Sequence, residues 1–260
     1  MRHHGFHRVT GLGLTALCLV LPAASAKAAG DWEWTIAPYI WAPDISMEVT
    51  VNNDPVLAGE VAFSDLLNKV AIGGSIHFEG RHSRIGFLTD AMYVSLSESK
   101  TAPPQTNLPG GAQSETALSM GLYEAGGFYR VSGDKAGFDV LFGARILDIN
   151  QDVKITLPSS ATTSFGTSGT LVDGFFGARY TVPFAKRWGF GVRGDVAAGG
   201  TEITWNAVAQ FGVWFGKTAK YGMTAGWRYT DMEIDKSDQG VNVKTKMVLS
   251  GPSVNFVFRL

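Results

Sequence analysis

The chain has 260 residues, with 22 Lys+Arg against 23 Asp+Glu, 45% hydrophobic and 12% aromatic residues, 32 glycines and a single cysteine. Near-neutral charge without a basic patch argues against a nucleic-acid surface, and one cysteine excludes a disulfide framework. The apolar residues are scattered over many short segments. No segment after the N-terminal leader holds 18 consecutive apolar residues, so no helical membrane span is expected, and an all-β chain is.

In chain order, basic MRHHGFHR, apolar VTGLGLTALCLVLPA and small-residue ASAKAA have the three-part order of a secretory signal peptide. Cleavage is predicted after Ala26, with Ala28 as the alternative, leaving one domain over 27–260. Cys18, His3, His4 and His7 leave with the leader. Losing Arg2 and Arg8 takes the charge to 20 basic against 23 acidic residues, or −3.

Period-two alternation recurs from Trp32 to Leu260. It predicts ten strands, at 32–43, 71–81, 84–97, 115–131, 137–152, 169–182, 187–198, 202–216, 220–232 and 246–260. Twelve or eight are the alternatives, twelve if ISMEVTV turns at NNDP into VLAGEVAF. FSDLLNKV, in the first long loop, spaces Phe63, Leu66, Leu67 and Val70 as a short helix, with Ser64 as N-cap. FDVLFGARI sets Phe138, Val140, Phe142, Ala144 and Ile146 against Asp139, Leu141, Gly143 and Arg145. WGFGVRGDV sets Trp188, Phe190, Val192 and Val196 against Arg193 and Asp195. SVNFVFRL sets Val254, Phe256, Phe258 and Leu260 against Ser253, Asn255 and Arg259.

A soluble barrel would turn the apolar face inward, and a membrane barrel outward. Three features choose the membrane barrel. The strands run roughly 9–15 residues, the length a tilted membrane strand needs. Connections alternate between short (81–83, 132–136, 183–187, 216–220) and long (44–70, 98–113, 154–169, 231–246), with the link at Gly199-Gly200 as the exception. Aromatics gather near strand ends, as interfacial girdles do: Trp32, Trp34, Tyr39, Trp41, Tyr93, Tyr123, Tyr129, Tyr180, Trp188, Trp214, Trp227 and Tyr229. The expected fold is a transmembrane antiparallel up-and-down β-barrel with both termini in the periplasm. The last strand closes it against the first and removes the free edges.

WTIAPYIWAPDI, VAFSDLL, SRIGFLTDAMYVSL, LVDGFFGARYTVPFAKRWGFGVRGDVAAGG, AGWRYTDM and GPSVNFVFRL resemble a family of uncharacterised bacterial outer-membrane β-barrel proteins. The resemblance covers nearly the whole chain after the leader and implies export, fold and a Gram-negative outer-membrane location. It brings no activity, ligand or catalytic residue. Members often end in an aromatic thought to be read by the assembly machinery, whereas this chain ends in Leu260.

The lumen should then hold Glu79, Arg81, Asp90, Glu124, Arg130, Asp139, Arg145, Asp173, Arg179, Arg193, Asp195, Arg228 and Arg259. Seven arginines and six acids in a barrel little wider than the filled eight-stranded kind read as an ion-paired core. A narrow passive pore is the alternative. In Gly143/Arg145, Gly177/Arg179 and Gly226/Arg228, a glycine beside each arginine makes room for the guanidinium. Ser75, His77 and Glu79 share a strand face, the residue types of a hydrolytic site. Residues two apart on a strand sit about 7 Å apart, beyond the ~2.6–3.2 Å that proton transfer needs, so no enzyme is expected. No metal or cofactor is expected either. The expected partners are outer-membrane lipid and, through Val254, Phe256, Phe258 and Leu260, the assembly machinery.

Overall fold

The computed structural model describes residues 32–52, 54–67, 70–101, 113–132, 136–156, 162–238 and 241–260. The leader expected over 1–26 and the segments 102–112 and 157–161 lie outside them. The alternating segments form strands because a pleated backbone sends successive side chains to opposite faces. They are β1 (Trp32–Trp41), β2 (Asp44–Val51), β3 (Asp54–Val61), β4 (Val70–His82), β5 (Ile85–Thr101), β6 (Gln113–Ser132), β7 (Gly137–Thr156), β8 (Thr162–Pro183), β9 (Trp188–Gly199), β10 (Ile203–Phe215), β11 (Tyr221–Asp238) and β12 (Val241–Arg259).

β1 and β4 to β12 form a closed ten-stranded antiparallel up-and-down barrel. β12 completes it against β1, with Phe258 opposite Ile36 and Val254 opposite Ile40. The NNDP hairpin also forms, so the sheet has twelve strands although the barrel wall has ten. Ala42 donates to the Pro252 carbonyl where β1 ends, and β2 then takes over pairing with β12 from Asp44, opposite Ser250. β3 pairs onto β2. The helix α1 (Phe63–Leu67) is five residues long. Its cap is Asp44, whose Oδ1 accepts from the Phe63 amide at 2.8 Å; Ser64, the expected cap, lies one residue inside the helix.

Two expectations need correcting. The loops 154–169 and 231–246 are largely strand, because β7, β8, β11 and β12 run on as paired ribbons to Thr156, Thr162, Asp238 and Val241. Three of the expected girdle aromatics point into the lumen. Tyr39 and Trp41 are buried there, and Trp214 lies under the Arg259 guanidinium. Position near a strand end does not fix the face; the parity of the strand does.

The parity holds along the barrel, but what the two faces carry reverses. In the half nearer the short turns, large apolar side chains cover the outer face, among them Phe142, Phe176, Phe211 and Trp227, while charges line the lumen. Towards the long loops the apolar residues turn inward. Tyr39, Trp41, Met92, Met120, Leu122, Leu147, Met232, Met247 and Leu249 form one buried cluster, with Ile45, Met47, Val94, Ile149 and Leu171 packed against it. The outer face there carries Glu48, Asp148, Asp231, Glu233, Asp235, Lys244 and Lys246, with Lys244 3.2 Å from Asp235 and Lys246 3.7 Å from Asp231. On β7 the change falls at Ile146-Leu147, and on β11 between Tyr229 and Met232.

Strand backbones also approach closely beside the arginines. A Cβ on Gly226 would overlap the Ala209 carbonyl and Gln210 Cα, one on Gly177 the Gly194 carbonyl, and one on Gly143 the Ala125 carbonyl. The neighbouring strand, more than the guanidinium, requires these glycines. Gly226→Ala is therefore expected to destabilise by about 1–3 kcal/mol, as overpacking does. Gly174, on the outer face with nothing within 4 Å of a Cβ, should gain about 0.4–1 kcal/mol as alanine. Denaturant unfolding of the two variants from micelles checks the contrast.

Candidate functional site

Cross-strand register brings the charges into rows. His77, Asp90, Glu124, Arg145 and Asp173 are successive directly opposed partners across β4 to β8. Two acids, Asp90 and Glu124, thus face each other, which repels unless cations intervene. Arg145, 2% exposed, donates to Glu124 at 2.7 Å and to Asp195 at 2.5 Å. Arg193 bridges the same two acids, at 2.8 Å each. Arg228 lies 3.9 Å from Glu124 and donates to Asn206 and to the Tyr39 hydroxyl. Tyr39 in turn donates to Asp90 at 2.6 Å.

A second group lies nearer the short turns. Asp139, wholly buried, accepts from Arg130 and Arg179. Arg179 reaches across the lumen to Glu79, at 2.5 and 3.1 Å, joining β8 to β4. Arg81 pairs with Glu33 at the mouth. Asp173 stands apart, accepting from the Thr201 amide and hydroxyl at 2.8 Å and holding the β9–β10 turn. Arg259 has its guanidinium 4.5 Å from the Trp214 ring centroid. Val254, Phe256, Phe258 and Leu260 point outward, all exposed.

Burial of so many ions is tolerable only with partners and hydrogen bonds, which these pairings supply. Aromatic faces add to them. Arg179 lies 4.9 Å from Phe128, Arg145 and Arg193 lie 5.6 and 5.5 Å from Phe175, and Arg228 lies 4.7 Å from Trp41. Sequence reasoning missed these lumen aromatics. The available signal was a doubled aromatic, Phe175-Phe176 and Phe128-Tyr129, which must put one ring on each face.

His77 is held at both ring nitrogens. Nδ1 is 3.2 Å from Asp90 Oδ2, and Nε2 is 3.5 Å from Glu79 Oε2. Neither nitrogen is left to take a proton from Ser75.

No protein-family model matches the chain, and no curated protein does. Among solved structures, Ail, the attachment invasion locus protein of Yersinia pestis, in complex with the heparin analogue sucrose octasulfate, is similar at 10% identity. Its TM-score is 0.33, over 86% of this chain and 99% of that one. A Pseudomonas aeruginosa FadL homologue is similar at 7% identity and TM-score 0.33, over 88% and 89% of the two chains. The transport unit of the Escherichia coli autotransporter AIDA-I is similar at 8% identity and TM-score 0.35, over 89% and 93%.

Proposed function

We propose that the protein is an integral outer-membrane barrel whose lumen is closed by its own side chains, so that it serves as a membrane-embedded scaffold for the ribbons at its long-loop end. The observation that carries this reading is the cross-lumen network. Arg179–Glu79 and the Arg145/Arg193/Glu124/Asp195 group tie non-adjacent strands together, beneath a buried apolar cluster. An apolar layer excludes hydrated ions, and paired charges leave no unbalanced field to draw one sign through. The apolar outer face in the short-turn half supports a lipid surround. The short turns then face the periplasm, and the last strand offers Phe256 and Phe258 to the assembly machinery.

The refolded protein is expected to show no steady single-channel conductance in planar bilayers. Steady conductance would favour the narrow pore instead. The engaged nitrogens of His77 support a non-enzymatic reading, and lipase or protease activity abolished by His77→Ala would overturn it. The N-terminus of protein recovered from outer membranes is expected at Lys27 or Ala29.

A further inference from the structure

The two ends of the barrel differ in the sign of their exposed charge. Three short turns carry cations and no acid: Arg84 between β4 and β5, Lys186 and Arg187 between β8 and β9, and Lys217 and Lys220 between β10 and β11. All five side chains are exposed, and none is ion-paired among the described residues. The acids at this end, among the described residues, are Glu33, which Arg81 engages, and the terminal carboxylate of Leu260. The fourth short turn, at 133–135, lies outside the described residues and adds one charge of each sign. At the long-loop end the exposed charges are acidic. Among the described residues Glu48, Asp54, Glu60, Asp65, Asp152 and Glu202 are exposed there, while Lys244 and Lys246 are each held by an acid.

The basic turns are pinned to the wall at one level. The Arg84 carbonyl accepts from the Arg130 amide, the Arg187 carbonyl from the Trp214 amide and the Lys220 carbonyl from the Arg259 amide, at 2.7, 2.8 and 2.7 Å. Each bond lies one step beyond the last strand pair, Ile85–Tyr129, Trp188–Val213 and Tyr221–Phe258. The apolar outer face begins directly beside the cations, with Ile85, Phe184, Trp188, Phe215 and Tyr221 all exposed. One or two residues along a strand span about 3–7 Å, so the cations stand at headgroup height where that face meets lipid. Tryptophan and tyrosine at the same level are the residues that favour this boundary.

We infer that the short-turn rim is a docking surface for anionic lipid headgroups, and that Lys186 and Arg187 gather lipids of net negative charge, such as phosphatidylglycerol, in the leaflet they face. This rests on the membrane reading above. Charge complementarity selects an anion, because the rim holds exposed cations without partners of its own. Their place against the apolar belt selects a lipid over a soluble acid, since the same surface binds headgroup and chain together.

Tryptophan quenching in mixed vesicles tests it. Single-tryptophan chains retaining Trp188 or Trp205 are refolded into phosphatidylcholine containing a minority of phosphatidylglycerol, with bromine on the acyl chains of one lipid or the other. Both leaflets have the same composition, so the direction of insertion does not matter. Heat-modifiable gel mobility confirms folding. Trp188 adjoins Lys186 and Arg187, whereas Trp205, also on the outer face, lies at the acidic end near Glu202 and Glu233. If neither is quenched by brominated phosphatidylcholine, the membrane reading itself fails. The expected result is enrichment of phosphatidylglycerol at Trp188 by about fivefold, the worth of one surface cation, with none at Trp205. Salt at about 1 M, where screening acts over about 3 Å, should remove it, as should Lys186→Gln with Arg187→Gln. Equal quenching by the two lipids at Trp188, equal enrichment at both tryptophans, or enrichment that survives salt or the double substitution overturns the inference. Cosedimentation with purified peptidoglycan without lipid enrichment also overturns it, and assigns the rim to the cell wall. If the single-tryptophan chains do not fold, the native chain serves. Trp188→Phe should then lower the ratio of quenching by brominated phosphatidylglycerol to that by brominated phosphatidylcholine, and Trp205→Phe should not; equal changes overturn the proposal.

Discussion

Arg145→Ala unfolds more readily than the parent chain, by about 3–5 kcal/mol, because it leaves two carboxylates short of a buried cation. Arg145 sits at 2% exposure between Glu124 and Asp195, bonded to both. Arg193 remains to bridge the two acids and Arg228 lies 3.9 Å from Glu124, but Asp195 is then left with a share of Arg193 alone. Arg81→Ala removes an equally direct ion pair but should change stability by about 0–1 kcal/mol, because its partner Glu33 is 68% exposed and water replaces the lost contact. Denaturant unfolding from detergent micelles compares the two. Equal, small losses would mean that lumen water reaches Glu124 and Asp195, and the closed-lumen reading would fall with the paired core.

Phe256→Arg impairs insertion into lipid vesicles more than Phe258→Arg. Both side chains point outward and are exposed, at 47% and 39%. Phe256 stands opposite Met223 and Phe258 opposite Tyr221, one step from the short-turn end. Arginine on a lipid-facing barrel position costs about 2–4 kcal/mol at mid-membrane and about 0–1 kcal/mol near an interface, where it reaches water. Asn255, next to Phe256, faces the lumen and donates to Thr224 at 2.8 Å. Asn255→Ser should lose only about 0.5–1.5 kcal/mol, the worth of one hydrogen bond, and should still insert. The folded band on an unheated gel reports each outcome. A silent Phe256→Arg would mean that this face does not meet lipid. Leu260→Phe should leave assembly intact or improve it.

The two experiments probe opposite faces of the barrel wall, and the reversal in what those faces carry sets where each applies. Below Ile146 on β7, a charge faces inward and must be paired. Above it, Asp148 faces outward, where it accepts from Asn150 and Thr170, and Leu147 and Ile149 face in. A ribbon with charges outside and an apolar inside suits water around it, which is why the scaffold reading places these extensions beyond the membrane.

Much of this was determined by the sequence alone. Alternation in FDVLFGARI and SVNFVFRL separates Arg145 from Phe142, and Asn255 from Phe256, whatever the neighbouring strands do, because a pleated strand has a fixed period of two. The ten-stranded wall and the NNDP hairpin were also legible, from strand length, connection length and turn residues. Only the tertiary structure decided which residues meet. Arg179 and Glu79 are 100 residues apart and lie on non-adjacent strands, so their contact depends on stagger and closure, which single-strand periodicity does not contain. The same holds for Tyr39, Trp41 and Trp214, whose nearness to strand ends says nothing of their face. It holds too for Leu171 and Met232, which meet in one buried apolar cluster although they lie on non-adjacent strands. Local pattern assigns faces; the shear of the closed barrel assigns partners.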